Sequence, residues 1–190
     1  MIKPLILSTK YPDISNVKID LKSASIIYVA YSGLHGELNA SVGSANRFFY
    51  IYHFGDEETK NLFLSIMLAE MYHLELLGML LSKLGVDNRH LKLIPKIIDN
   101  GRNRPPERQN GVEKALLDGL SFELVSIESY KKILRRLKNK TVKSVIERII
   151  QDEEYHASEI QQILKNKKQK VIAFIGVLSY NLIKEYLRRC

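Results

Sequence analysis

The chain has 190 residues, 45% of them hydrophobic, and its 29 basic and 21 acidic side chains leave a formal net charge of +8. That length suits one domain with a sizeable core, and a single cysteine, Cys190, excludes an internal disulfide framework or a thiolate metal site. The basic excess clusters in Lys131–Lys143 and Lys165–Lys170 near predicted helix ends, with no nucleic-acid motif beside it, so it reads as solvated surface.

Residues 1–22 contain Tyr11-Pro12-Asp13 and read as an extended lead-in whose apolar stretch is too short for a secretory signal. From Ser23 to His53, Ile27, Ala30, Leu34, Glu37, Ser41, Ala45, Phe48 and Tyr52 recur at steps of three and four. This predicts a first helix with Glu37 on its inward stripe; Gly33, Gly36 and Gly43 lower its helix propensity. Gly55 and Asp56-Glu57-Glu58-Thr59 then read as a turn, a cap and an acidic first turn. The second predicted helix runs to Leu84 and stops at Gly85, with Phe63, Ile66, Glu70, His73, Leu77, Leu80 and Leu84 on one stripe.

Residues 85–110 break the pattern and predict a long crossover, with Leu91–Ile98 as a short helix or irregular strap. A third helix is predicted from Val112 to Leu137, bearing Leu116, Leu120, Glu123, Ile127, Tyr130, Leu134 and Leu137 in register. After a tight Asn139-Lys140-Thr141 link, the fourth runs from Val142 to Leu164 through Ile146, Ile149, Glu153, His156, Ile160 and Ile163. The layout is therefore hairpin, crossover, hairpin: a bundle over 23–165, followed by an apolar and basic segment, 166–190. The run Val171–Ile183 falls short of the roughly 20 apolar residues that span a bilayer, and no other segment reaches that length. It predicts a fifth helix packed on the bundle or on a second subunit, with a membrane-surface anchor as the weaker alternative.

Two stretches carry the chemistry. A-E-M-Y-H places Glu70 and His73 three residues apart, and D-E-E-Y-H repeats the spacing with Glu153 and His156. Residues i and i+3 share a helix face, so a carboxylate and an imidazole of each pair can converge on one metal ion. Glu37 lies 33 residues before Glu70 and Glu123 lies 30 before Glu153, which implies two halves related by an approximate two-fold axis. One Glu from each of two helices and Glu-x-x-His from each of the other two is the inventory of dinuclear carboxylate bundles. Four buried carboxylates without cations would repel one another or take up protons. Two divalent ions would balance them, with neutral histidines completing the coordination. Oxygen and imidazole donors favour iron or manganese and also admit zinc.

The remaining candidates have plainer readings. Glu128 competes with Glu123 but falls on a more exposed face. His35 has no carboxylate one turn away, His53 ends a helix, and His90 with Asp87 belongs to a turn. Glu75, Glu154 and Glu159 read as solvated groups or as hydrogen-bond partners of the ligand histidines. Tyr28, Tyr31, Tyr72, Tyr130 and Tyr155 read as packing residues.

G-E-L-N-A, A-E-M-Y-H-L-E-L-L-G, F-E-L and D-E-E-Y-H resemble the ferritin-like superfamily, in particular its rubrerythrin-like and manganese-catalase-like branch, over residues 23–165. The resemblance implies an all-α, ferritin-like antiparallel four-helix bundle with a crossover between the second and third helices. It implies two iron or two manganese ions held by Glu37, Glu70, His73, Glu123, Glu153 and His156, the glutamates also serving catalysis. The implied activity is a cytoplasmic oxidoreductase consuming hydrogen peroxide or dioxygen, with an external electron donor for peroxidase or ferroxidase action, and a homodimer is the expected assembly. The alternatives are a ferroxidase or iron-binding protein and a structural coat or shell protein whose metal only stabilises the bundle. Rubrerythrins add a four-cysteine iron site, which Cys190 alone cannot supply. They also place a glutamate where this chain has Ser126, and ferritin-like first helices commonly place a tyrosine where it has Ser44.

Overall fold

The computed structural model describes residues 2–87, 89 and 111–166. The side chain of Asp20 caps the first helix, α1 (Leu21–Ser32), by accepting from the Ser23 backbone N–H at 3.0 Å and the Ser23 hydroxyl at 2.6 Å. Four longer helices follow: α2 (Glu37–Phe54), α3 (Glu57–Lys83), α4 (Gly111–Arg136) and α5 (Lys140–Asn166). No strand occurs among the described residues.

The continuous helix expected over Ser23–His53 is two helices. Gly33 ends α1 and Gly36 precedes α2, and a Cβ on Gly36 would stand 2.4 Å from the Ala30 carbonyl oxygen. Only glycine permits that approach. The Asn39 side-chain amide fastens the break by donating to the Gly33 carbonyl at 2.8 Å. The predicted stripe holds only in part: Ile27, Ala30, Glu37 and Ser41 are buried, but Leu34 and Tyr52 are exposed, and α2 also buries Leu38, Ala40, Ser44 and Ile51. Glu37 becomes the first residue of α2, where the helix dipole favours an anion.

The other boundaries follow from local chemistry. Asp56 caps α3 by accepting from Thr59 N–H at 2.9 Å. Gly85, at φ +98°, reverses the chain after α3 while Val86 N–H returns to the Leu81 carbonyl at 3.0 Å. Asn139 accepts from Val142 N–H at 3.2 Å at the start of α5.

α2 lies against α3 and α4, and α5 lies against α4 and α3, with α1 packed on α3, α2 and α4. Tyr130 meets Glu37, and Gly111 stands against Tyr50, so α2 and α4 are antiparallel. α3 and α4 therefore run the same way, the arrangement that a long crossover serves. The crossover expected at 85–110 falls almost wholly outside the described residues, as do the fifth helix expected in 166–190 and His90.

By length and composition α3 could cross a membrane, the one such helix among the described residues and one that the sequence reading did not single out. Its apolar side chains serve the bundle core: Leu77, Leu80, Leu81 and Leu84 are fully buried. Each such burial is worth about 1.5–3 kcal/mol. Glu70 and His73 occupy the same stripe, between Ile66 and Leu77.

A candidate metal centre

Each ligand candidate is placed by its helix register. Glu70 and His73 project inward from the middle of α3, Glu153 and His156 from the middle of α5, Glu123 from α4 and Glu37 from the first turn of α2. All six are 0–1% exposed. The imidazole rings of His73 and His156 face each other at 6.0 Å, inclined by 22°.

The ligand atoms fall into two overlapping sets, one of Glu37, Glu70, His73 and Glu153 and one of Glu70, Glu123, Glu153 and His156. Within each set they lie within 4.8 Å of one another. Glu70 and Glu153 belong to both; Glu37 and Glu123 belong to one each. His73 Nδ1 is 3.2 Å from Glu153 Oε1 and 3.8 Å from Glu37 Oε1. His156 Nδ1 is 3.6 Å from both Glu123 Oε2 and Glu153 Oε2.

The donors are short of partners. Glu37 Oε2, Glu70 Oε2, His73 Nδ1, Glu123 Oε2, both Glu153 oxygens and His156 Nδ1 are buried without a hydrogen bond. Buried polar atoms are almost always paired, so seven orphans aimed into one volume fit a site for cations.

The electrostatics agree. Burial, followed by the charge of Glu153, pushes Glu123 up to about 8. Burial and neighbouring carboxylates also raise Glu37 and Glu70. Burial and Glu70 both oppose the charge of Glu153, yet the nearby Glu123, His156 and His73 side chains leave it lowered. Burial disfavours the His73 cation, but Asp152, Glu153 and Glu70 outweigh it and hold the ring up to about 9. His156 is raised for the same kind of reason. Without metal the cluster retains protons where divalent cations would sit.

Several functional neighbours escaped the sequence reading. Asp152 Oδ2 lies 3.3 Å from His73 Nε2, on the ring edge away from the glutamates. Burial opposes its charge, but hydrogen bonds from His73, Arg148, Tyr11 and the Leu7 backbone hold it down to about 2. The buried Tyr130, read as packing, donates its hydroxyl proton to Glu37 Oε1. The lead-in is also more than a lead-in: the Leu5 carbonyl oxygen stands 2.7 Å from His156 Nε2. Of the residues proposed to support the histidines, Glu75 and Glu154 are exposed, Glu154 pairing with Lys131 at 3.2 Å, and Glu159 is half-buried. His35 is half-buried and His53 exposed at the end of α2, both apart from the six-residue cluster. Among known proteins, no family model matches the chain and no curated protein matches its sequence.

Proposed function

We propose that the chain is a ferritin-like, dinuclear iron or manganese carboxylate protein that consumes hydrogen peroxide or dioxygen. The observation that carries this reading is the pair of overlapping donor sets, buried and sharing Glu70 and Glu153. Six oxygen and imidazole ligands without thiolate suit iron or manganese. Two such ions, when bound, would supply the two electrons needed to cleave an O–O bond.

The residues do the rest. Glu37, Glu70, His73, Glu123, Glu153 and His156 hold the ions and exclude bulk water from between the helices. A glutamate released from an ion during turnover could take up a proton from peroxide and return it to a departing oxygen. Tyr130, bonded to Glu37, fixes the carboxylate that stands at a helix end. Among the described residues no second redox centre accompanies the cluster, so peroxidase or ferroxidase turnover takes its electrons from an external donor.

Metal content per chain, measured on protein purified without chelator, tests the reading together with a Glu70→Ala, Glu153→Ala double variant. Two iron or manganese ions per chain, absent from the variant, are expected. Oxygen evolution from peroxide alone then identifies catalase action, and oxidation only with added ferrous iron identifies ferroxidase action. Two ions that raise stability without any turnover would make the centre a structural staple. A chain that remains empty after anaerobic loading overturns the proposal.

A further inference from the structure

The approximate two-fold relating A-E-M-Y-H to D-E-E-Y-H fails at the residue before the glutamate. Asp152 precedes Glu153 and backs His73 through Nε2, whereas the residue preceding Glu70 is the buried Ala69, which has no polar side-chain atom. His156 is nevertheless backed, by the main chain of the N-terminal segment. Its Nε2 lies 2.7 Å from the Leu5 carbonyl oxygen. A carbonyl only accepts, so Nε2 carries a proton, and in its neutral form His156 turns the Nδ1 lone pair towards Glu70, Glu123 and Glu153.

Leu5 is held in that position by a set of specific bonds. Its own N–H donates to the Ser65 carbonyl at 2.9 Å, and Leu7 N–H donates to Asp152 Oδ1 at 2.8 Å. Arg148 donates from Nε to the Thr9 carbonyl at 3.1 Å and from Nη2 to the Leu7 carbonyl at 2.8 Å. Its guanidinium lies 4.5 Å from the ring centre of Tyr11, whose hydroxyl donates to Asp152 Oδ2. The carboxylate that orients one histidine thus also pins the segment that orients the other.

We infer that residues 5–11 are a positioning strap of the metal centre, coupled in binding to the donor set of Glu70, Glu123, Glu153 and His156. The inference rests on the metal-binding reading above. A cation on His156 Nδ1 draws electron density from the ring and makes Nε2–H a stronger donor to Leu5. By reciprocity, whatever strap docking adds to metal affinity returns as tighter docking once metal is bound. The other donor set has its histidine backed by the Asp152 side chain and depends less on the strap. A segment that merely covers the bundle would be indifferent to metal.

Hydrogen exchange on the full chain, read by mass spectrometry on peptides covering residues 2–12, tests this during titration with manganese(II) alone. Binding stoichiometry is followed in the same samples. Exchange at the Leu5 and Leu7 amides should slow about tenfold as the second ion binds. Arg148→Leu, which removes the anchors on Leu7 and Thr9 together with the ion pair to Asp152, should weaken the second ion about tenfold to a hundredfold and the first, through Asp152 and His73, by less. Arg148→Lys should restore part of that loss. Two ions bound with unchanged strap exchange, or Arg148→Leu weakening both ions equally, overturns the inference and leaves the metal reading standing. If Arg148→Leu does not fold, the wild-type exchange decides alone. A chain that binds no manganese or iron overturns the metal reading, and the strap with it.

Discussion

The hydroxyl of Tyr130 on α4 donates to Glu37 Oε1 on α2, tying a ligand at the start of one helix to the other half of the bundle. Tyr130 stands seven residues after Glu123, as Ser44 stands seven after Glu37. The tyrosine occurs in one half only; Ser44 turns back to the Ser41 carbonyl at 3.0 Å. Tyr130→Phe leaves Glu37 Oε1 without its donor, at a cost of about 1–3 kcal/mol. Urea unfolding of the metal-free chain should show that loss, and an unchanged midpoint would show that the bond carries no weight.

The two donor sets predict a pattern of stoichiometry. Glu70→Ala or Glu153→Ala should abolish binding of both ions, because each residue belongs to both sets. Glu37→Ala should remove the ion beside His73, and Glu123→Ala the ion beside His156. Metal analysis after gel filtration distinguishes one remaining ion from none. Equal losses in all four variants would mean that the sets do not act separately.

The pH dependence of the metal-free chain has a definite sign. Glu123, at about 8, and His73, at about 9, both hold protons in the fold at pH values where the unfolded chain has released them. Their stabilisation is complete below the unfolded values, near 4.5 for Glu and 6.5 for His, and is lost as pH rises through about 8 and 9. Asp152 acts in the opposite sense: held at about 2, it stabilises above its ordinary value of 3.8 and loses that effect as pH falls towards 2. Metal-free protein should therefore be most stable at about pH 4 and weaken markedly by about pH 9. Bound divalent cations replace the protons, so thermal unfolding of loaded protein should change much less over the alkaline range. Identical pH profiles with and without chelator would refute this.

The break between α1 and α2 makes a sharper structural prediction. In Gly36→Ala the new Cβ would meet the Ala30 carbonyl oxygen at 2.4 Å, forcing the backbone beside Glu37 to shift. A loss of about 1–3 kcal/mol is expected, with weakened binding at the Glu37 set. Gly78→Ala is the control, since its Cβ would meet only Tyr31 Cε2, at 3.7 Å. There the gain in helix propensity should stabilise by up to about 1 kcal/mol. Equal effects at the two positions, read by thermal unfolding, would remove the special role of Gly36.

Much of the centre was legible because helical spacing is a local property. Glu70 with His73, and Glu153 with His156, declared a shared face within four residues of sequence, and the apolar stripes around them placed that face inward. Glu37 was identified on its stripe although the helix assumed there is broken; Gly33 and Gly36 carried the signal, but periodicity overrode it. Asp152 was missed because its partner, His73, is on another helix, and no linear spacing encodes that pairing. The Leu5 carbonyl is less legible still: any residue supplies a carbonyl, so only the path of the chain makes it a partner for His156. Tyr130 stood on the buried stripe of α4, where an apolar ring and a hydroxyl donor look alike in a hydrophobic pattern.

The bonds between residues 5–11 and α5 also set an order of assembly. Leu5 and His156 are separated by 151 positions, and Leu7 and Asp152 by 145. Contacts of such separation form late, after the loops between them have closed. During synthesis the strap leaves the ribosome long before Arg148 and Asp152 exist to receive it. The bundle can thus gather its helices before residues 5–11 are fastened across the buried donor sets.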